Sequence, residues 1–133
     1  MKRIETLSPQ EINARNIRQS SVYERVREIF REKDLAEVGA ETRLLRFVEN
    51  ALELALASGM TLDRANAVLD EVFSRSVGDL HTELGQTMVA LQAFATSAGV
   101  SLAEAEDAAV IRANETDPEV LRTRQAEKRA KGL

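Results

Sequence analysis

The chain has 133 residues, 44% of them apolar and 30% charged, with no cysteine and a single histidine, which describes one soluble domain able to build a single core. The absent cysteines exclude a disulfide framework, a zinc-thiolate site and a thiol nucleophile, and His81 alone excludes any site that needs two histidines. Net charge is −4, spread unevenly: Val48 to Val110 holds ten acidic residues against Arg64 and Arg75, so that segment carries −8 and the remainder +4.

An acidic centre argues against specific nucleic-acid binding, which needs a continuous basic face, and suits a site for divalent cations. Six glycines, two prolines and 4% aromatics speak against a strand-and-turn architecture or an aromatic stacking platform. Alanine, leucine, glutamate and arginine dominate instead, and the expected class is all-α. No apolar run near Met1 has the length of a signal peptide or a membrane span, so the expected location is cytoplasmic.

In chain order, Ser8-Pro9-Gln10-Glu11 has the form of a capping box and predicts a short helix from about Pro9 to Gln19. Ser21 is placed to cap a second helix carrying Val22, Val26, Ile29 and Phe30, ending near Lys33 or Asp34. Lys33 to Glu41, with Gly39, reads as a connection. From about Glu41, Leu44, Leu45, Val48, Ala51, Leu52, Ala55 and Leu56 form one stripe closed by Gly59. Thr61 caps a helix bearing Leu62, Ala65, Val68, Leu69, Val72 and Phe73, and the chain turns between Ser74 and Gly78. A long helix then places Leu80, Leu84, Met88, Leu91, Phe94, Ala95 and Ala98 on one face and ends at Gly99. Ser101-Leu102-Ala103-Glu104 is a second capping box, opening a helix to about Thr116, before Asp117-Pro118. The last fifteen residues have helical propensity but are polar all round, so they cover a partner or fray. The predicted organisation is one all-α domain: an N-terminal helical extension over 1–40, a helical-bundle core over 41–116 and a polar tail over 117–133.

Gly59-Met60-Thr61-Leu62 and Gly99-Val100-Ser101-Leu102 match at an offset of 40 residues. Either a helical hairpin has been duplicated, or a glycine stop followed by a hydroxyl cap is simply how such hairpins turn.

Carboxylates border the apolar stripes. With Leu45 at zero on the helical wheel, Glu49 falls at about +40° and Glu53 at about +80°; with Leu80 at zero, Glu83 falls at about −60°, within an apolar or small face. A buried, unpaired carboxylate costs several kcal/mol, so these groups call for a counter-charge, a donor or a metal ion. Arginine is the ordinary partner, and Arg46 lies one turn and Arg43 nearly two turns before Glu49. If the two helices pack face to face, Glu49, Glu53 and Glu83 converge beside Ala90, and all-oxygen ligation favours Mg²⁺ or Mn²⁺.

Arg46-Phe47-Val48-Glu49-Asn50-Ala51-Leu52-Glu53-Leu54 resembles the first acidic motif, Glu-Glu-x-x-Glu, of the MazG-like all-α nucleoside triphosphate pyrophosphohydrolases. Glu83-Leu84-Gly85-Gln86 is similar to their second, Glu-x-Gly-Asp, and Val72 to Asp79 and Leu121 to Ala126 also look like members of that family. The resemblance implies a four-helix-bundle core, hydrolysis of a nucleoside triphosphate to monophosphate and pyrophosphate, and Mg²⁺ held by four acidic ligands. Carried over by position these are Asn50, Glu53, Glu83 and Gln86, with Glu49 adjoining, and Glu53 and Glu83 as the residues on which catalysis depends. Asn50 and Gln86 are amides, which still offer an oxygen but remove two of the four negative charges. Arg112, or Lys128 and Arg129, are the cations available to phosphate oxygens. His81, about 100° from Leu80, reads as a surface residue.

The alternative is a non-catalytic helical module that binds a nucleotide or a protein through the same bundle. A ferritin-like di-iron site needs two Glu-x-x-His pairs, and Gly78 stands where His81 would require the glutamate. The stripes are wider than one hairpin needs, and the resemblance implies a homodimer or higher homo-oligomer.

Overall fold

The computed structural model describes residues 7–32 and 39–133, and every element in them is an α-helix. In chain order these are α1 (Pro9–Glu32), α2 (Ala40–Ala57), α3 (Leu62–Phe73), α4 (Leu80–Ser97), α5 (Leu102–Glu115) and α6 (Pro118–Ala130). The all-α expectation holds. Met1 to Thr6 and most of the connection expected from Lys33 lie outside the described residues.

Two helices expected near the N-terminus are one. The Ser8 capping box forms at the start of α1: the Ser8 amide donates to Glu11 at 2.7 Å, and the Glu11 amide donates to the Ser8 hydroxyl at 3.2 Å. Ser21, the expected second cap, lies inside α1. No glycine or proline interrupts the chain between Gln10 and Glu32, and a serine pair costs too little to end a helix.

The later helix ends are set by the local chemistry that the sequence announces. At the end of α2 the Gly59 amide reaches the Leu56 carbonyl at 3.0 Å and the Met60 amide reaches Ala55 at 3.0 Å. At the end of α4 the Gly99 amide reaches Thr96 at 3.2 Å and the Val100 amide reaches Ala95 at 2.9 Å. Both are Schellman motifs, and both glycines take positive φ, 92° and 70°. In each copy a hydroxyl opens the next helix: Thr61 accepts from the Arg64 amide at 3.2 Å, and Ser101 from the Glu104 amide at 3.3 Å. The 40-residue echo is therefore a repeated turn geometry, a Schellman stop followed by a hydroxyl cap.

The chain divides into two compact units, with the boundary inside α5 between Ala105 and Glu106. One unit joins α1 to the rest of α5 and to α6. Within it Arg18 of α1 meets Glu106 of α5 at 2.9 Å, and Ile29 is buried beside half-buried Val22 and Val26. The polar C-terminal segment is helical. Asp117 caps α6 through the Glu119 amide at 2.8 Å, with Pro118 in the first turn. Leu121, Arg122, Gln125 and Lys128 are half-buried at three- and four-residue spacing, so the stems of Arg122 and Lys128 extend a narrow apolar stripe.

The other unit comprises α2, α3, α4 and the first residues of α5. Ala95 is its one buried side chain among the described residues, and twenty of its large apolar side chains are exposed. The expected stripes are present on the helices, and the packing within the unit leaves them largely exposed. Among the described residues no single helix is long and apolar enough to cross a membrane; α4 and α5 reach that threshold only as a pair bent at Gly99.

A Cβ added at Gly59 or Gly99 meets no atom within 4 Å, so only the positive φ resists substitution there. Gly59→Ala and Gly99→Ala are each expected to cost about 1 kcal/mol in urea unfolding, and the asparagine variants less.

Candidate functional site

The acidic residues singled out by the sequence lie on α2 and α4, in the same unit. Glu49 is half-buried and accepts from Arg46 Nη1 at 3.2 Å, the arginine pairing that its helix-edge position invites. Asn50 and Glu53 are exposed on the next turn of α2. Glu83 stands in the first turn of α4, and its carboxylate folds back against Gly78, where any Cβ would collide with it. Gln86 lines a shallow hollow of about 490 Å³ with His81, Thr82, Gly85, Val89 and Ala90, and His81 is exposed as expected.

A hollow of about 460 Å³ shows where α2 and α4 approach each other: Ala51, Leu54 and Ala55 line it from α2 and Phe94 from α4. Glu83 precedes Phe94 by eleven residues, which at the helical rise is about 16 Å along α4. Oxygens sharing one Mg²⁺ each lie about 2 Å from the ion. Among the described residues no group of three or more histidines and carboxylates is close enough to hold a metal. Of the donor set implied by the resemblance, Glu49 is engaged by Arg46, Glu83 is turned onto its own loop, and two of the five donors are amides.

Arg112 lies in the last turn of α5, in the other unit, where it is exposed and its carbonyl accepts from the Thr116 hydroxyl at 2.6 Å. Lys128 and Arg129 occupy the last turn of α6, where cations complement the helix dipole.

Two residues that sequence reasoning passed over shape this unit. Arg64 lines both the hollow beside Phe94 and a groove along α3 shared with Ala67, Val68, Glu71, Val72 and Arg75. Its position three residues after the Thr61 cap is the one signal that pointed to it. Asp79 caps α4, accepting from the Thr82 amide at 3.0 Å and from the Thr82 hydroxyl at 3.1 Å. The Asp-x-x-Thr spacing is its signal in the sequence. Those Thr82 donors, the backbone amide first, hold the Asp79 carboxyl below its ordinary value of 3.8.

No protein-family model, curated protein or solved structure matches this chain. Its architecture and its surface thus rest on the residues themselves.

The Asp79 cap sets a pH dependence. A carboxyl depressed by folding contributes stability that is fully present above its ordinary value of 3.8 and is lost as pH falls through the lower folded value. Thermal melts followed by circular dichroism between pH 2 and pH 6 are expected to show this loss in the native chain. Asp79→Asn, which keeps an acceptor but cannot titrate, is expected to flatten it.

Proposed function

We propose that the chain is a helical interaction module whose working surface is the apolar face of α2, α3 and α4. The observation that carries this reading is the exposure of that face: Leu56, Phe73 and Leu80 are 73%, 82% and 74% exposed, on three successive helices. A monomer seldom shows a contiguous apolar patch above about 600 Å², and larger patches mark contact with another molecule. The twenty exposed apolar side chains of this unit, at roughly 100 Å² each, present on the order of 2,000 Å² in total, so that a third of it on one face already exceeds that size. Asn50 and Gln86, standing where the resemblance implies acids, agree with a module that does not depend on a metal-ligating set.

A second reading is the MazG-like pyrophosphohydrolase acting on a nucleoside triphosphate with Mg²⁺ or Mn²⁺. It is favoured by Glu53 and Glu83, which are exposed and form no ion pair among the described residues. Pyrophosphate release from a panel of nucleoside triphosphates with either cation separates the two. The module reading expects no release and no change in helicity or association on Glu53→Gln or Glu83→Gln. Release that either substitution abolishes, at unchanged helicity, would establish the enzyme instead.

A further inference from the structure

We infer that the occupant of this apolar face is a second copy of the same chain, the two meeting along antiparallel α3 helices about a two-fold axis between Ala67 and Val68. This rests on the interaction-module reading and names its partner. Three observations support it.

The first is area. If half of the exposed apolar surface of the unit is covered, each copy contributes about 1,000 Å² and the pair buries about 2,000 Å², where permanent homodimer interfaces begin. The second is the interior of the unit. With Ala95 as its one buried side chain among the described residues, α2, α3 and α4 hold little core of their own, and helices of 12 to 18 residues are marginal in water without packing. Such a unit needs its cover while it folds, and a second copy is always supplied in equal amount.

The third observation is the groove along α3, which is complementary to itself. Arg64, Ala67, Val68, Glu71, Val72 and Arg75 line it, both charges flanking a small apolar centre. An antiparallel pairing centred between Ala67 and Val68 sets position 64 against 71 and position 67 against 68. Glu71 of each copy then faces Arg64 of the other, and Ala67 faces Val68, which lets the helices approach closely. Glu71 already holds Arg75 at 3.0 Å within its own helix, so each end of the contact becomes an Arg75, Glu71, Arg64 cluster of alternating sign. An isologous contact requires this kind of self-matching.

The test uses the full chain. Light scattering of the wild type at micromolar concentration is expected to give twice 14.7 kDa. The thermal midpoint is expected to fall by roughly 3–5 °C per tenfold dilution, because unfolding and dissociation are then one transition. Arg64→Glu and Glu71→Arg, each placing like charges opposite one another twice, are expected to weaken association at least about tenfold. The double variant Arg64→Glu/Glu71→Arg, which restores opposite charges only if position 64 meets position 71 of the other copy, is expected to recover association to within about threefold of wild type.

A dimer that both single reversals leave unweakened, or that the double variant fails to restore, overturns the α3 pairing. A monomer whose α2 to α4 amides exchange freely with solvent overturns the second copy as occupant while leaving the interaction-module reading standing. A monomer whose α2 to α4 amides are strongly protected overturns both, since the unit would then be stable with its apolar face in water.

Discussion

The helices of the 39–105 region carry apolar stripes that their own packing leaves largely exposed. Burying a leucine or phenylalanine is worth roughly 1.5–3 kcal/mol, the largest favourable term available to a protein without disulfides or aromatic clusters. In this unit the gain is not realised within one copy, since Ala95 is buried and Leu44, Phe47, Leu69, Leu84 and Phe94 are not. Capping and turn chemistry define where the helices begin and end, but each such bond contributes about 1 kcal/mol and cannot replace a core. The surface of α2, α3 and α4 is thus the feature from which both stability and function have to be argued.

The acidic residues fit the same picture. A carboxylate at a helix edge is satisfied by whatever donor lies nearest, and in α2 that donor is Arg46, three residues before Glu49. In α4 Glu83 lies close to a glycine, and the space that Gly78 leaves receives its carboxylate. Each group finds a local solution before any long-range convergence is needed. Glu53 and Asn50 stay in solvent.

The other unit reaches a modest internal contact by a different route. Its helices are among the most polar in the chain, yet the Arg18 to Glu106 bridge ties together positions 88 residues apart in sequence. Glu106 holds the Arg18 guanidinium above its ordinary value, by hydrogen bonding first and by charge second. Both partners are exposed, so the bridge orients α1 and α5 more than it stabilises them. Packing comes from Ile29, from the half-buried valines one and two turns before it, and from the stems of long side chains in α6.

The sequence by itself determined the all-helical class, the Schellman stops at Gly59 and Gly99, and the caps at Ser8, Thr61 and Ser101, because these depend on residues within one turn of each other. It also announced the arginine available to Glu49. It misplaced a break at Ser21, since a serine that can cap a helix is equally tolerated inside one when nothing else stops the chain. Whether Glu53 and Glu83 share a point in space was not legible, because helical spacing fixes the direction of a side chain around its own axis but not the level at which two helices cross. Only the tertiary structure decided that level, bringing Phe94 to the hollow lined by Ala51, Leu54 and Ala55 of α2, and left the apolar stripes facing outward.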